Sequence, residues 1–110
     1  MYRVLIDETV VNEITWRLVQ AADPERIILF GSRARGDHRL DSDLDFLIVK
    51  SGGTSARDCE VRAYAALGGM AVPVDILCYS REEVERWSSA RNHVVARALR
   101  EGRIIYEKCA

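Results

Sequence analysis

Apolar residues recur at spacings of three and four over residues 8–22, which is the pattern of an amphipathic helix. These positions are Val11, Ile14, Leu18 and Ala22. Asp23 and Pro24 follow them, and the residue before a proline avoids the helical region of backbone space. The first helix is therefore predicted to end just before this pair.

Short apolar runs further along the chain predict β-strands. The run at residues 26–30 is continuous, which is typical of a strand covered on both faces, and Gly31 ends it. Runs over residues 43–49 and 72–79 predict two more strands, and residues 103–106 predict a last short one. The sheet is thus expected to contain three or four strands.

Helices are predicted between and after these strands, at residues 55–67, 81–88 and 92–100. Ser80 and Glu83 match a capping box, in which a serine and an acid three residues later satisfy each other's backbone donors. Strands and helices in this order indicate an α/β (α+β) fold, in which a small mixed sheet is flanked by helices.

Size and composition narrow the class of protein. A chain of 110 residues with a net charge of -1 predicts a single domain over residues 1–110 without a global positive field, so direct nucleic-acid binding is not expected. The first seven residues become charged too early for a signal peptide, and no apolar run approaches the roughly 20 residues of a membrane span. We therefore expect a cytoplasmic protein without membrane contact, whose three cysteines are reduced thiols.

Three aspartates are the candidate catalytic and metal-binding residues. Asp43 and Asp45 open the second predicted strand one residue apart, so their carboxylates point the same way and repel unless a cation lies between them. Asp75 interrupts the third apolar strand, where a lone buried charge is costly unless something pairs with it. If these strands are neighbours, the three acids could hold two Mg²⁺ ions about 4 Å apart. The alternative for Asp75 is a structural acid in a salt bridge.

A glycine-serine turn ends the first strand. Gly31 lets the backbone approach a phosphate group, and Ser32 adds a hydroxyl donor. Arg33, Arg35 and Arg39 give the following loop positive charge that could balance a triphosphate, although they could equally form a solvated face. Such a turn is common by itself, and its order before the paired aspartates is what makes it informative.

These motifs together resemble the minimal nucleotidyltransferase family, within the DNA polymerase β-like nucleotidyltransferase superfamily. The resemblance rests on Leu-Phe-Gly-Ser-Arg-Ala-Arg-Gly at residues 29–36 and Ser-Asp-Leu-Asp at residues 42–45. Val-Asp-Ile at residues 74–76 and the closing residues 101–106 are also similar to that family. The resemblance covers nearly the whole chain and implies a nucleotidyltransferase fold.

The resemblance also implies roles for the candidate residues. Gly31 and Ser32 would bind nucleotide phosphate, Asp43 and Asp45 would ligate Mg²⁺, and Asp75 would be the third acid, which assists the acceptor hydroxyl. The implied reaction transfers a nucleoside monophosphate from a nucleoside triphosphate, most often ATP, and releases pyrophosphate. Many small members of the family look like antitoxins paired with a HEPN-domain RNase toxin.

Three functions are compatible with the sequence. The first is a nucleotidyltransferase that modifies a partner protein, with a HEPN-like toxin as the expected acceptor, because the chain has no room for a module that holds another acceptor. The second is a non-catalytic antitoxin that neutralises its partner by occlusion. The third is a transferase for a small hydroxylated molecule, with the acceptor pocket completed by a homodimer.

Overall fold

A computed structural model describes residues 8–31 and 43–109 of the chain, which form four helices and four strands. The helices are α1 (Glu8–Ala22), α2 (Ala56–Ala66), α3 (Arg81–Trp87) and α4 (Val94–Glu101), and the strands are β1 (Arg26–Phe30), β2 (Leu44–Lys50), β3 (Val74–Ser80) and β4 (Arg103–Glu107). Every predicted helix and strand is present, with ends displaced by one or two residues at most. None of the described helices combines the length and the apolar character needed to cross a bilayer.

The four strands form one mixed sheet in the order β3-β2-β1-β4. Strand β1 runs antiparallel to both β2 and β4, and β2 runs parallel to β3. The mixed α/β sheet is therefore confirmed, and the third predicted strand does lie beside the second. This pairing sets Asp45 opposite Asp75 and, on the other side of β2, opposite Phe30.

One face of the sheet is covered by α1 and α2, and we call it the α1–α2 face. Strand β2 contributes Leu44, Phe46 and Ile48 to it, and all three are fully buried. The predicted apolar positions of α1 pack on the same cluster, which explains the helical spacing in the sequence.

The opposite face is covered by α3 and α4, and we call it the α3–α4 face. Leu47 packs there with Phe30 and with Ala98 of α4, and Leu77 of β3 lies against the same cluster. Because strand side chains alternate, Asp45 and Asp75 point to this face too, each two residues before one of these leucines.

Serine caps fix the beginnings of two helices. The Ser55 hydroxyl accepts a hydrogen bond of 3.0 Å from the Asp58 backbone N–H at the start of α2. At α3, Ser80 and Glu83 form the predicted capping box, with hydrogen bonds of 3.0 and 3.1 Å. The capping box ties α3 to the end of β3, on the α3–α4 face of the sheet.

Candidate active site

Two of the predicted acids meet at one end of the parallel strand pair. Asp45 and Asp75 are register partners near the beginnings of β2 and β3. The two carboxyl groups are close enough for the negative charge of Asp75 to raise the pKa of Asp45. The folded chain thus brings together two carboxyl groups that are 30 positions apart in the sequence.

The environment of Asp45 disfavours its negative charge. Partial burial is the main cause that raises its pKa, and the negative charges of Asp75 and Asp43 raise it further. The positive charge of Arg97 partly offsets these effects, because it lowers the pKa of Asp45. A cation bound between the carboxylates would relieve this repulsion, because it favours their ionised forms.

Asp43 lies one residue before β2, and its side chain is exposed. It is close enough for its charge to act on Asp45, yet the described residues contain no group of three or more His, Cys, Asp or Glu side chains arranged to hold a metal ion. Mg²⁺ is usually held by one or two carboxylates together with substrate phosphates. The Asp45–Asp75 pair fits that mode of binding, and the role of Asp43 as a ligand remains a prediction.

Asp75 is exposed, in contrast to the expectation of a carboxylate buried in an apolar strand. Strand β3 lies at the edge of the sheet, and only its middle residues Ile76 and Cys78 are buried. Solvent therefore reaches the Asp75 carboxylate, and its charge does not carry the large desolvation cost that the sequence suggested.

Gly31 lies directly against the Asp45 carboxylate. Its φ of +78° is in the left-handed region that favours glycine, and a Cβ atom at this position would collide with Asp45 Oδ2. Two features therefore favour glycine here, the left-handed backbone conformation and the space taken by the Asp45 carboxylate. The sequence had suggested a third reason, the approach of a phosphate group.

The remaining predicted nucleotide-binding residues, Ser32, Arg33 and Arg35, lie outside the described residues. The same holds for Arg39.

Arg97 is a charged neighbour of the site that the sequence did not single out. It lies on the exposed side of α4, and Ala98, the next residue, packs against Phe30. Since Phe30 is a register partner of Asp45, this packing brings the second half of α4 toward the acidic end of the sheet, whereas Val95 packs with Val49 near the other end of β2. The sequence predicted a helix over residues 92–100, but not which end of the sheet this helix adjoins.

The chain matches the family model described as a nucleotidyltransferase domain over residues 11–108. No curated protein matches it.

Three solved structures are similar in fold. A candidate minimal nucleotidyltransferase is 32% identical, with a TM-score of 0.58, and the match covers 87% of this chain and 92% of that one. A candidate nucleotidyltransferase from Sulfolobus solfataricus is 22% identical, with a TM-score of 0.63 and coverages of 91% and 79%. A toxin-antitoxin complex with AMP-PNP contains a chain that is 16% identical, with a TM-score of 0.56 and coverages of 87% and 73%. The last two likenesses concern the fold alone.

Proposed function

This chain belongs to the nucleotidyltransferase domain family, and on that premise we propose that it transfers a nucleoside monophosphate, AMP from ATP, to a hydroxyl group of a partner protein. The observation that carries the proposal is the pairing of Asp45 with Asp75 beside Gly31. Two carboxylates and a close glycine backbone at one sheet end offer a place for a metal-bound phosphate.

In the proposed reaction, the acceptor hydroxyl attacks the α-phosphorus of the nucleotide and a new oxygen–phosphorus bond forms. The bond between the α-phosphorus and the bridging oxygen to the β-phosphate breaks, and pyrophosphate leaves with the electron pair. Asp75 takes the proton of the hydroxyl, because it is the solvent-accessible member of the carboxyl pair and can face an incoming acceptor.

Asp45 and Asp75 are the residues that would hold Mg²⁺, with Asp43 as a further candidate ligand. A divalent cation bound there supplies positive charge to the phosphate oxygens during transfer. Partial burial is the main cause of the raised pKa of Asp45, and the negative charges of Asp75 and Asp43 add to it, so a cation at this place would be favoured.

The acceptor that we propose is a HEPN-like toxin for which this chain would be the antitoxin. The support is the similarity in fold to a chain of a toxin-antitoxin complex that was solved with AMP-PNP.

The test uses labelled ATP, Mg²⁺ and the protein expressed with its genomic neighbour. We expect label on the neighbour, and we expect Asp45→Asn and Asp75→Asn each to lower the transfer rate by about 100-fold or more, because general-base and metal contributions are of that size. Asp58→Asn, which removes the same charge from α2, should leave the rate unchanged. Full labelling by both site variants would contradict the proposal.

A second candidate is neutralisation of the partner by occlusion, without catalysis. The similarity in fold to a chain of a toxin-antitoxin complex is compatible with this function as well. The double variant Asp43→Ala with Asp45→Ala separates the two functions. Loss of neutralisation supports catalysis, and full retention supports occlusion.

A further inference from the structure

Two buried cysteines lie on the α1–α2 face of the sheet, away from the carboxyl pair. Cys59 is on α2 and is 1% exposed, and Cys78 is on β3 and is 5% exposed. Both belong to the apolar cluster that joins α1 and α2 to the sheet. Because side chains alternate along a strand, Cys78 points to the face opposite to that of Asp75. Neither thiol is therefore part of the candidate active site.

The path of the chain brings these two cysteines to the same level of the domain. Helix α2 connects the parallel strands β2 and β3, so it runs antiparallel to both. The Tyr64 hydroxyl accepts a hydrogen bond of 3.0 Å from the Ile76 backbone N–H, which aligns α2 with β3. From Tyr64 back to Cys59 the helix covers about 7.5 Å. From Ile76 forward to Cys78 the strand covers about 6.6 Å in the same direction, so the two cysteines lie opposite each other.

The surface of α2 that meets the sheet is made of small side chains. Cys59 and Ala63 are the buried residues of α2 and lie about one turn apart, so both face the sheet. Ile76 and Cys78 of β3 pack in the same cluster. Small side chains let a helix approach a strand closely, which a bond between sulfur atoms on the two elements requires.

The two thiols also change each other's protonation. Hydrogen bonding with Cys78 is the main cause that lowers the pKa of the Cys59 thiol. Hydrogen bonding with Cys59 and burial raise the pKa of Cys78, which therefore keeps its proton. Since the thiolate is the reactive form of cysteine, Cys59 is the nucleophile of the pair.

We propose that Cys59 and Cys78 are a modification site, where hydrogen peroxide converts the two thiols into a reversible disulfide. The Cys59 sulfur attacks one peroxide oxygen, the oxygen–oxygen bond breaks, and a sulfenic acid forms while hydroxide leaves. The Cys78 sulfur then attacks the Cys59 sulfur, the sulfur–oxygen bond breaks, and a second hydroxide leaves. The two sulfurs are oxidised, the peroxide is reduced, and the thiol protons end in two molecules of water. A small thiol reverses the bond by exchange.

The disulfide would connect α2 to the edge strand that carries Asp75. Cys59, Cys78 and Cys109 are free thiols in the structure, which therefore describes the reduced form. Cys78 lies three residues after Asp75 on β3. A covalent bond at this point restrains the local opening of the strand, so oxidation is expected to reach the candidate site through β3 and independently of nucleotide transfer.

Peptide mapping by mass spectrometry after treatment with hydrogen peroxide tests the site. The Cys109→Ser background removes the exposed thiol, which could otherwise join two molecules. We expect one cross-linked peptide that contains Cys59 and Cys78, and full recovery of both thiols with dithiothreitol. Adding Cys59→Ser or Cys78→Ser to this background should abolish the internal bond. Because the main readout uses a chain with both buried cysteines intact, oxidation of Cys109→Ser without that cross-linked peptide would overturn the proposal.

Thermal melts and amide hydrogen exchange measure the effect of the bond on the fold. The oxidised Cys109→Ser protein should melt about 10 °C higher than the reduced one, because a disulfide restricts the unfolded chain. Exchange of the amides in residues 74–80 should slow on oxidation and recover with dithiothreitol. A cross-linked protein with an unchanged melting temperature and unchanged exchange in β3 would refute the link to the strand that carries Asp75.

Discussion

The two sides of strand β2 differ in what surrounds them. On the α1–α2 face, Leu44, Phe46 and Ile48 are fully enclosed by helices and apolar side chains. On the α3–α4 face, Leu47 is enclosed in the same way, but Asp45 is only half-buried, because it lies beyond the apolar cluster. A single strand thus supplies core on one side and, at its beginning, a site on the other.

The comparison shows how a small domain can place charges near its core at low cost. The carboxyl pair lies at the end of the sheet where β3 is an exposed edge strand, so Asp75 keeps its contact with water. The α1–α2 face, by contrast, supplies burial on which stability depends. We therefore expect substitutions on the two sides of β2 to change different properties.

The largest expected effect is on the buried side. Phe46→Ala should lower the free energy of unfolding by about 3–5 kcal/mol, because it removes a large, fully enclosed ring and leaves a cavity. Asp45→Asn, one position away, should not lower it. Urea denaturation of both variants measures the contrast, and a comparable loss in Asp45→Asn would show that the carboxyl pair is structural.

A smaller effect on stability is expected at Gly31, the residue that follows β1 and lies against the Asp45 carboxylate. Gly31→Ala should destabilise the protein by more than Gly53→Ala, which has a similar φ of +88° but no atom within 4 Å of the added Cβ. The left-handed conformation costs both variants about 1–2 kcal/mol, and only Gly31→Ala also collides with Asp45. Equal losses in the two variants would mean that the carboxylate moves aside freely.

The smallest expected effect is on the pH dependence of thermal stability. Because the pKa of Asp45 is raised in the folded protein, its protonated form is favoured there, and the related stability is present at acid pH and lost as pH rises through the folded pKa. Asp45→Asn should therefore melt at a higher temperature than the unmodified protein at pH 7, and the difference should shrink on acidification. Thermal melts of both proteins between neutral and acid pH check this, and a constant difference would exclude titration of Asp45 as the cause.

The pKa of Glu83 is lowered in the folded protein, in contrast to the raised pKa of Asp45. The hydrogen bond from the Ser80 backbone N–H holds the pKa of the Glu83 carboxyl below its usual range. Its contribution to stability is present above the ordinary pKa of glutamate and is lost as pH falls through the lowered one. Acidification therefore acts on the two carboxyl groups in opposite directions, and Glu83→Gln separates the two contributions in the melts.

Local patterns were sufficient to predict the secondary structure. The spacing of apolar residues in α1, the capping box at α3 and the apolar run of β1 are all encoded by residues next to one another, and each element is present. The placement of Asp75 beside Asp45 was conditional on strand order, which depends on contacts between distant parts of the chain.

Tertiary features were harder to predict. Asp75 is exposed because β3 is an edge strand, and the residues around Asp75 in the sequence do not predict this position in the sheet. The place of Arg97 beside the site depends on the packing of Ala98 against Phe30, which are far apart in the sequence. His93 gave no sign of its capping role, because serine, threonine, asparagine and aspartate are the residues that usually mark a helix start.

The edge of β3 carries one more feature, the hydroxyl of Tyr64. It accepts a hydrogen bond of 3.0 Å from the Ile76 backbone N–H, one of the groups that an additional strand would have to engage. Sheet extension next to the carboxyl pair would first have to displace this tyrosine. Strand β4 forms the opposite edge of the sheet, and its Ile104 side chain is exposed. The Tyr64 side chain therefore disfavours the addition of a strand at the β3 edge, which carries Asp75.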